Sequence, residues 1–193
     1  MTTKQTLVEA AVRTVREVGY AGATSRAIAA RGQFNAALIY YHFGSVDALL
    51  LAALDELGAE RLARYEKMVD QAKTLEELVD AAAQMYRSDR RSGHVAFVSQ
   101  LVAASFTKPE LAREVLARMT PWIEFTERAL RKALAHTPLE DVPVEDLAYA
   151  IVTYYLGLNL LTELDPKRAR ADALFRRLRE LAGIVAPTAA RGE

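Results

Sequence analysis

TSRAIAARGQFNAALIYYHFGS, residues Thr24–Ser45, decides the fold. It reads as two short helices joined by a tight turn. Thr24 is a natural N-cap, with Ser25 and Arg26 in the first turn, because its hydroxyl can accept an orphan backbone N–H. The helix it opens ends near Gly32. Gln33 and Phe34 form the turn, Asn35 caps a helix from Ala36 to about His42, and Phe43-Gly44 breaks it. Ile28, Phe34, Ile39 and Phe43 are the expected buried pegs. Helices this short are not stable alone, so flanking helices must hold them.

Both flanks supply one. From Lys4 to Val18, the residues Val8, Ala11, Val12, Val15 and Val18 recur at helical spacing, and Gly19 is a natural stop. Ser45 caps a Leu- and Ala-rich helix from Val46 to about Met68. A short helix held outward in this way presents its free face to a major groove. Ala36 and Ala37 on that face are small, so backbone can approach bases. Tyr40, Tyr41 and His42 offer rings and hydrogen-bonding groups, and the helix starts at Asn35 and Ser45 suit phosphate. An aromatic cluster of this kind also fits an ordinary core, so the residues alone leave both readings open.

A resemblance separates them. Gln5–Leu50 resembles the DNA-binding domain of the TetR family of regulators. It does so through Gly19-Tyr20-Ala21-Gly22-Ala23-Thr24, Ile28-Ala29, Phe34-Asn35-Ala36-Ala37-Leu38-Ile39-Tyr40-Tyr41-His42-Phe43, Ser45 and Leu49. The resemblance implies that Tyr40 and His42 contact phosphates, as do Thr24 and Arg26. It implies that Gln33, Asn35, Ala36, Ala37, Leu38 and Tyr41 read bases or lie against the groove. It also implies a dimer, and a small molecule that enters the body, shifts the fourth helix and respaces two reading heads. Gln33 stands where the family has glycine, and Gly32 precedes it, which suggests a reset turn. Ala37 replaces a common glycine. Val46 replaces a common lysine, which removes a phosphate contact and lowers the salt dependence of binding.

Composition agrees with a helical protein. Of 193 residues 51% are hydrophobic, enough for a packed core, and glycine and proline are few. There is no cysteine, which excludes disulfides, thiolate metal sites and cysteine nucleophiles. His94 and His136 have no second ligand at metal spacing, so neither a metal nor a cofactor is expected. The first residues lack a signal core and no run of ~18 uncharged apolar residues is visible, so a cytoplasmic protein is expected. Lysine plus arginine balance aspartate plus glutamate at 25 each, giving no whole-chain hint of nucleic acid. Up to Ser45, however, Lys4, Arg13, Arg16, Arg26 and Arg31 face only Glu9 and Glu17.

Further helices are expected from Thr74, where Glu77 completes a capping box, to Ser88 and from His94 to Ser105. Pro109 sits at a first turn. Pro121, capped by Thr120, should open a separate helix to His136. A loop over 137–143 precedes two long helices, Val144–Glu163 and Lys167–Val185. The fold class is therefore all-α, about nine helices. The expected domains are a helix-turn-helix head over 1–46, a ligand-binding and dimerisation bundle over 47–186 and a flexible tail over 187–193.

Candidates for a ligand pocket in the body are Met85, Tyr86, Phe97, Gln100 and Phe106, then Trp122, Phe125, Tyr155 and Asn159. Rings are common core material. Gln100 and Asn159 are less easily explained, since an amide inside an apolar run costs about 1–3 kcal/mol when buried unpaired. The last two helices read as a homodimer seam through Leu147, Ile151, Tyr154, Leu174, Leu178 and Leu181, forming a four-helix bundle with a second copy.

The combined reading is a DNA-binding transcriptional repressor that a small apolar effector releases from a palindromic operator. Its partners are double-stranded DNA, the effector and a second copy of itself, with no membrane. The rivals are a structural dimeric helical protein without DNA binding, and an α-helical enzyme using His94, Tyr86 or Glu163. No close cluster of catalytic side chains supports the enzyme.

Overall fold

The computed structural model describes residues 3–135, 137–165 and 169–185. Among these residues are nine α-helices and no strand. In chain order they are α1 (Thr3–Gly22), α2 (Ser25–Gly32), α3 (Ala37–Phe43), α4 (Val46–Gln71), α5 (Leu75–Ser92), α6 (His94–Ser105), α7 (Pro109–Leu134), α8 (Val144–Leu164) and α9 (Ala169–Val185). The chain forms two compact units. Met1–Arg61 joins Gly93–Met119 in the first, and Leu62–Ser92 joins Thr120–Glu193 in the second. His136 and the tail over 187–193 lie outside the described residues.

The first unit is built on α1. Leu7, Ala10, Ala11, Ile28, Ile39, Leu49, Leu50, Phe97 and Leu101 are fully buried. Each large aliphatic side chain so buried contributes about 1.5–3 kcal/mol relative to exposure. The buried face of α1 holds the expected Val8, Ala11, Val12 and Val15 and widens to Leu7, Ala10 and Thr14, whereas Val18 is 52% exposed. Thr14 fits among hydrocarbon because its hydroxyl donates to the Ala10 carbonyl at 2.7 Å. Gly19 does interrupt α1, at φ 71°, but the chain resumes for one more turn to Gly22.

The local signals at helix starts behave as their chemistry requires. Ala27 N–H donates to Thr24 Oγ1 at 3.2 Å, Ala37 N–H to Asn35 Oδ1 at 2.9 Å and Ala48 N–H to Ser45 Oγ at 3.0 Å. Glu77 N–H donates to Thr74 Oγ1 at 3.2 Å, and Glu77 Oε2 reaches back to Lys73 N–H at 2.6 Å. The turn between α2 and α3 is not reset. Gln33 itself takes the left-handed conformation, φ 56° and ψ 46°. Gly32 serves space instead: a Cβ there would lie 2.1 Å from Phe34 Cε1 and 2.9 Å from Ala10 Cβ.

In the second unit Tyr65, Val69, Ala81, Met85, Phe125 and Ala129 form one core cluster, with Trp122 packed against it. Ala83, Tyr86, Ala171 and Phe175 form another, bordered by Tyr155 and Leu158. Leu130, Leu134, Val144 and Ala148 form a third, bordered by Leu147. α9 packs on α5 and α8.

One expectation needs correction. Pro121 does not open a helix but lies inside α7. The proline ring denies its i−4 partner, Ala117, a hydrogen bond. Ala117 and Pro121 are both exposed, so that carbonyl can turn to water. Trp122 is therefore in mid-helix. By length and composition α8 is long and apolar enough to cross a membrane, although Asp146 and Glu163 confine its uncharged run to Leu147–Thr162. Its surface is largely uncovered within one chain, with Tyr154 51%, Leu161 69% and Leu164 80% exposed. Glu145 and Asp146 occupy its first turn.

Candidate nucleic-acid interface and effector site

The caps described above place the α2 start and the length of α3 on one exposed part of the first unit. Thr24, Arg26, Gln33, Asn35, Ala37, Tyr40 and Tyr41 are exposed; Ala36, Leu38, His42 and Ser45 are partly so. Ile39 is fully buried beneath them. The aromatic cluster of α3 is therefore not core: Tyr40 is 54% and Tyr41 82% exposed. Tyr40 Oη donates to Ser25 Oγ at 3.3 Å, which joins the C-terminal half of α3 to the first turn of α2. Ser25 escaped sequence reasoning, since nothing in the linear order shows which side chain Tyr40 reaches. The Tyr41 and His42 rings meet edge-on at 4.9 Å. Arg31 is not available to a polyanion in the same way as Arg26, because it is paired with Glu17.

Beside this face lies a polar clasp. Tyr20 Oη donates to Asp47 Oδ1 at 2.5 Å, and Lys108 Nζ donates to Tyr20 Oη at 2.7 Å and to Asp47 Oδ2 at 2.9 Å. Burial raises the Asp47 carboxyl, but hydrogen bonds from Tyr20 and Lys108 and the lysine charge outweigh that and hold it below its ordinary value. The clasp fixes the first turn of α4 to the end of α1 and the start of α7.

The pocket candidates are divided between the two units. Phe97 is fully buried in the first unit and Phe106 is 84% exposed there. Gln100 is not a buried amide: it is exposed, and its Oε1 accepts the Tyr20 backbone N–H at 3.1 Å. The second unit does bring several together. Met85, Phe125 and Trp122 pack with Tyr65 in one cluster. Tyr86 lies 6.3 Å from Tyr155 and 5.3 Å from Phe175, ring centre to ring centre. Asn159 is only 2% exposed. Its Nδ2 donates to the Tyr155 carbonyl at 2.8 Å; among the described residues neither its Oδ1 nor the hydroxyl of Tyr86, which is 1% exposed, has a hydrogen-bond partner.

A buried carboxylate unforeseen in the sequence joins these clusters. Asp89 is 3% exposed and accepts from Tyr65 Oη at 2.5 Å and Tyr155 Oη at 2.7 Å. Burial and the Asp89 hydrogen bond push the Tyr65 hydroxyl up to about 12, and burial followed by the Asp89 charge raises Tyr155 further. The signal was present in the spacing: Asp89 follows Ala81 and Met85 on the buried stripe of α5 at steps of four. Among the described residues there is no group of acidic and histidine side chains able to hold a metal.

Of the seam residues, Ile151, Tyr154, Leu178 and Leu181 are 38%, 51%, 37% and 57% exposed. Leu147 and Leu174 are half-buried, Leu147 against the Leu130 cluster of its own chain. Tyr149, Leu160, Leu164 and Ile184 add exposed apolar surface to the same two helices.

The described residues thus form a helix-turn-helix head in the first unit and a second, all-helical unit. Residues 7–53 match the family model described as "Bacterial regulatory proteins, tetR family". The nicotine-responsive transcriptional repressor HdnoR of Paenarthrobacter nicotinovorans is 22% identical over 170 residues, covering 86% of this chain and 87% of that protein. The fatty acid degradation regulator FadR from Bacillus halodurans has the same fold, with a TM-score of 0.77 at 16% identity over 92% of this chain and 96% of that one. FadR from Bacillus subtilis, solved with stearoyl-CoA, has a TM-score of 0.77 at 16% identity, covering 94% of this chain and 97% of that one. Over residues 7–53 the chain matches the tetR family of bacterial regulatory proteins, and along most of its length it shares the fold of these solved regulators.

Proposed function

We propose that this protein is a repressor that binds a palindromic operator as a homodimer and leaves it when a small effector binds. The observation that carries the reading is the exposure of Thr24, Arg26, Ala37, Tyr40 and Tyr41 on a face whose support, Ile28 and Ile39, is fully buried. Thr24, Arg26 and Tyr40 offer phosphate donors, and Ala37 leaves room for base edges. His42, Asn35 and Ser45 extend the phosphate contacts, and Gln33, Ala36 and Leu38 lie against the groove. In functional terms the head is residues 1–46 and the body 47–186. A cytoplasmic location and the absence of an enzymatic role follow from the same reading.

The effector is placed in the second unit, against Met85, Tyr86, Trp122, Phe125, Tyr155 and Asn159. The unpartnered Tyr86 hydroxyl and Asn159 Oδ1 support this, because a buried polar atom without a partner costs about 1–3 kcal/mol. Nicotine responsiveness in one relative and stearoyl-CoA in another are chemically unlike, so kinship does not name the effector. Linkage demands that an effector which weakens operator binding be weakened by the operator to the same extent.

A gel shift with the DNA flanking the gene is the decisive experiment. The protein should retard a fragment bearing an inverted repeat with half-sites about 34–36 Å apart. Ala37→Glu should abolish retardation while its circular dichroism stays that of the parent. Equal retardation by Ala37→Glu would remove α3 from the reading role, and failure of the parent on all flanking DNA would favour the structural dimer.

A further inference from the structure

Several basic side chains of the second unit face an acid: Arg128 with Glu66, Lys132 with Asp70, Arg179 with Asp80 and Arg90 with Glu163. Arg64, Arg87 and Arg91 are arranged otherwise. They line one groove of about 260 Å³, with Tyr65, Met68 and Ser88 among its other walls and no carboxylate in its lining. Arg87 is 3.8 Å from Asp172 with both side chains about half exposed, a loose pair. Arg64 and Arg91 have no ion pair among the described residues.

Like charges gathered in a concavity repel one another and focus a positive potential into it. The dipole of α5 accounts for basic residues in its last turn, such as Arg90 and Arg91. It does not account for Arg64, which lies within α4 and lines the same groove. The Arg64 guanidinium sits 5.3 Å from the centre of the Tyr65 ring, so part of its freedom is already lost before any ligand arrives. Guanidinium forks match the paired oxygens of carboxylates and phosphates. Met68 and the Tyr65 ring supply apolar wall beside them.

We propose that this groove binds the oxyanion end of an organic ligand, a carboxylate or a phosphate ester, whose adjoining hydrocarbon rests on Met68. The inference stands apart from the operator reading, since anion binding is measured without DNA.

Calorimetric titration of the full chain tests it, with inorganic pyrophosphate and octanoate as probes and octylammonium as the charge-reversed control. At least one anion should bind at one site per chain, about tenfold more weakly in the Arg64→Gln/Arg91→Gln double variant. Octylammonium should give no saturable heat. Tighter binding of pyrophosphate points to a phosphate ester, and tighter binding of octanoate to a carboxylate on an apolar chain. If the double variant loses its native circular dichroism, Arg91→Gln alone, at an exposed position, should still weaken the anion several-fold. The proposal is overturned if neither anion binds the parent, if loss of the arginines leaves binding unchanged, or if octylammonium binds as well as the anions.

Discussion

Gln100 Oε1 accepts the backbone N–H of Tyr20 at 3.1 Å, and Tyr20 is the residue that follows the break at Gly19. A helix interrupted at Gly19 frees amide groups that need a partner. α6 supplies one. Gln100→Leu keeps the side chain's bulk and removes the acceptor, so it should lower stability by about 0.5–1.5 kcal/mol without any ligand present. Urea unfolding of the two proteins checks this; an unchanged midpoint would return Gln100 to the list of effector contacts.

The Tyr20–Asp47–Lys108 clasp should give the protein an acid-sensitive component. The Asp47 carboxyl is held below its ordinary value of 3.8, so its stabilisation is complete above that pH and is lost as pH falls through the lower, folded value. The carboxylate is 38% exposed, so solvent screening leaves of order 0.5 kcal/mol. Asp47→Asn should be less stable than the parent at pH 7, with the gap closing towards pH ~2. A gap that does not change with pH would mean that ionisation of Asp47 has no part in the effect.

Tyr155→Phe removes one hydroxyl from Asp89, a buried carboxylate, and should cost about 1.5–3 kcal/mol. Alkali should weaken the parent too. The Tyr65 hydroxyl is pushed up from 10.0 to about 12, so its contribution is present below the unfolded value and disappears as pH rises between them. Tyr65→Phe should flatten that alkaline decline in a denaturation series.

Adjacent residues in the α2–α3 turn should respond in opposite directions. Gln33→Gly relieves a left-handed conformation at φ 56° and should stabilise by about 0.5–1 kcal/mol after the added freedom of the unfolded chain is counted. Gly32→Ala drives a methyl into the Phe34 ring and Ala10 and should destabilise by about 1–3 kcal/mol. Thermal melts of both variants decide the matter.

Leu181→Glu places a carboxylate on the most exposed of the expected seam leucines, 57% accessible in one chain. If α8 and α9 are the homodimer seam, light scattering at micromolar concentration should show the parent as a dimer and this variant as a monomer. A parent that is already monomeric would leave the apolar surface of these helices for another partner.

Local chemistry made much of this fold readable. Thr24, Asn35 and Ser45 cap helices because a hydroxyl or amide oxygen needs only a neighbouring N–H, and the linear sequence contains that neighbour. Pro121 misled because the fate of its freed carbonyl depends on whether Ala117 faces water. Gln100 misled for a similar reason: an amide in an apolar run looks buried until the helix is rotated against α1. Asp89 was hidden among the charged residues at the end of α5 because its two tyrosine partners lie 24 and 66 residues away in the chain.

The membership of α6 in the first unit has a consequence for biosynthesis. α1 packs on α6, yet α2 to α5 are made in between. At roughly 5–20 residues per second, the ribosome takes on the order of 5–20 s to pass from α1 to the end of the Gly93–Met119 segment. During that interval the apolar side of α1 is a nascent surface without its final cover. The newborn chain therefore offers chaperones and proteases a window that the finished protein closes, and slow codons before α6 would widen it.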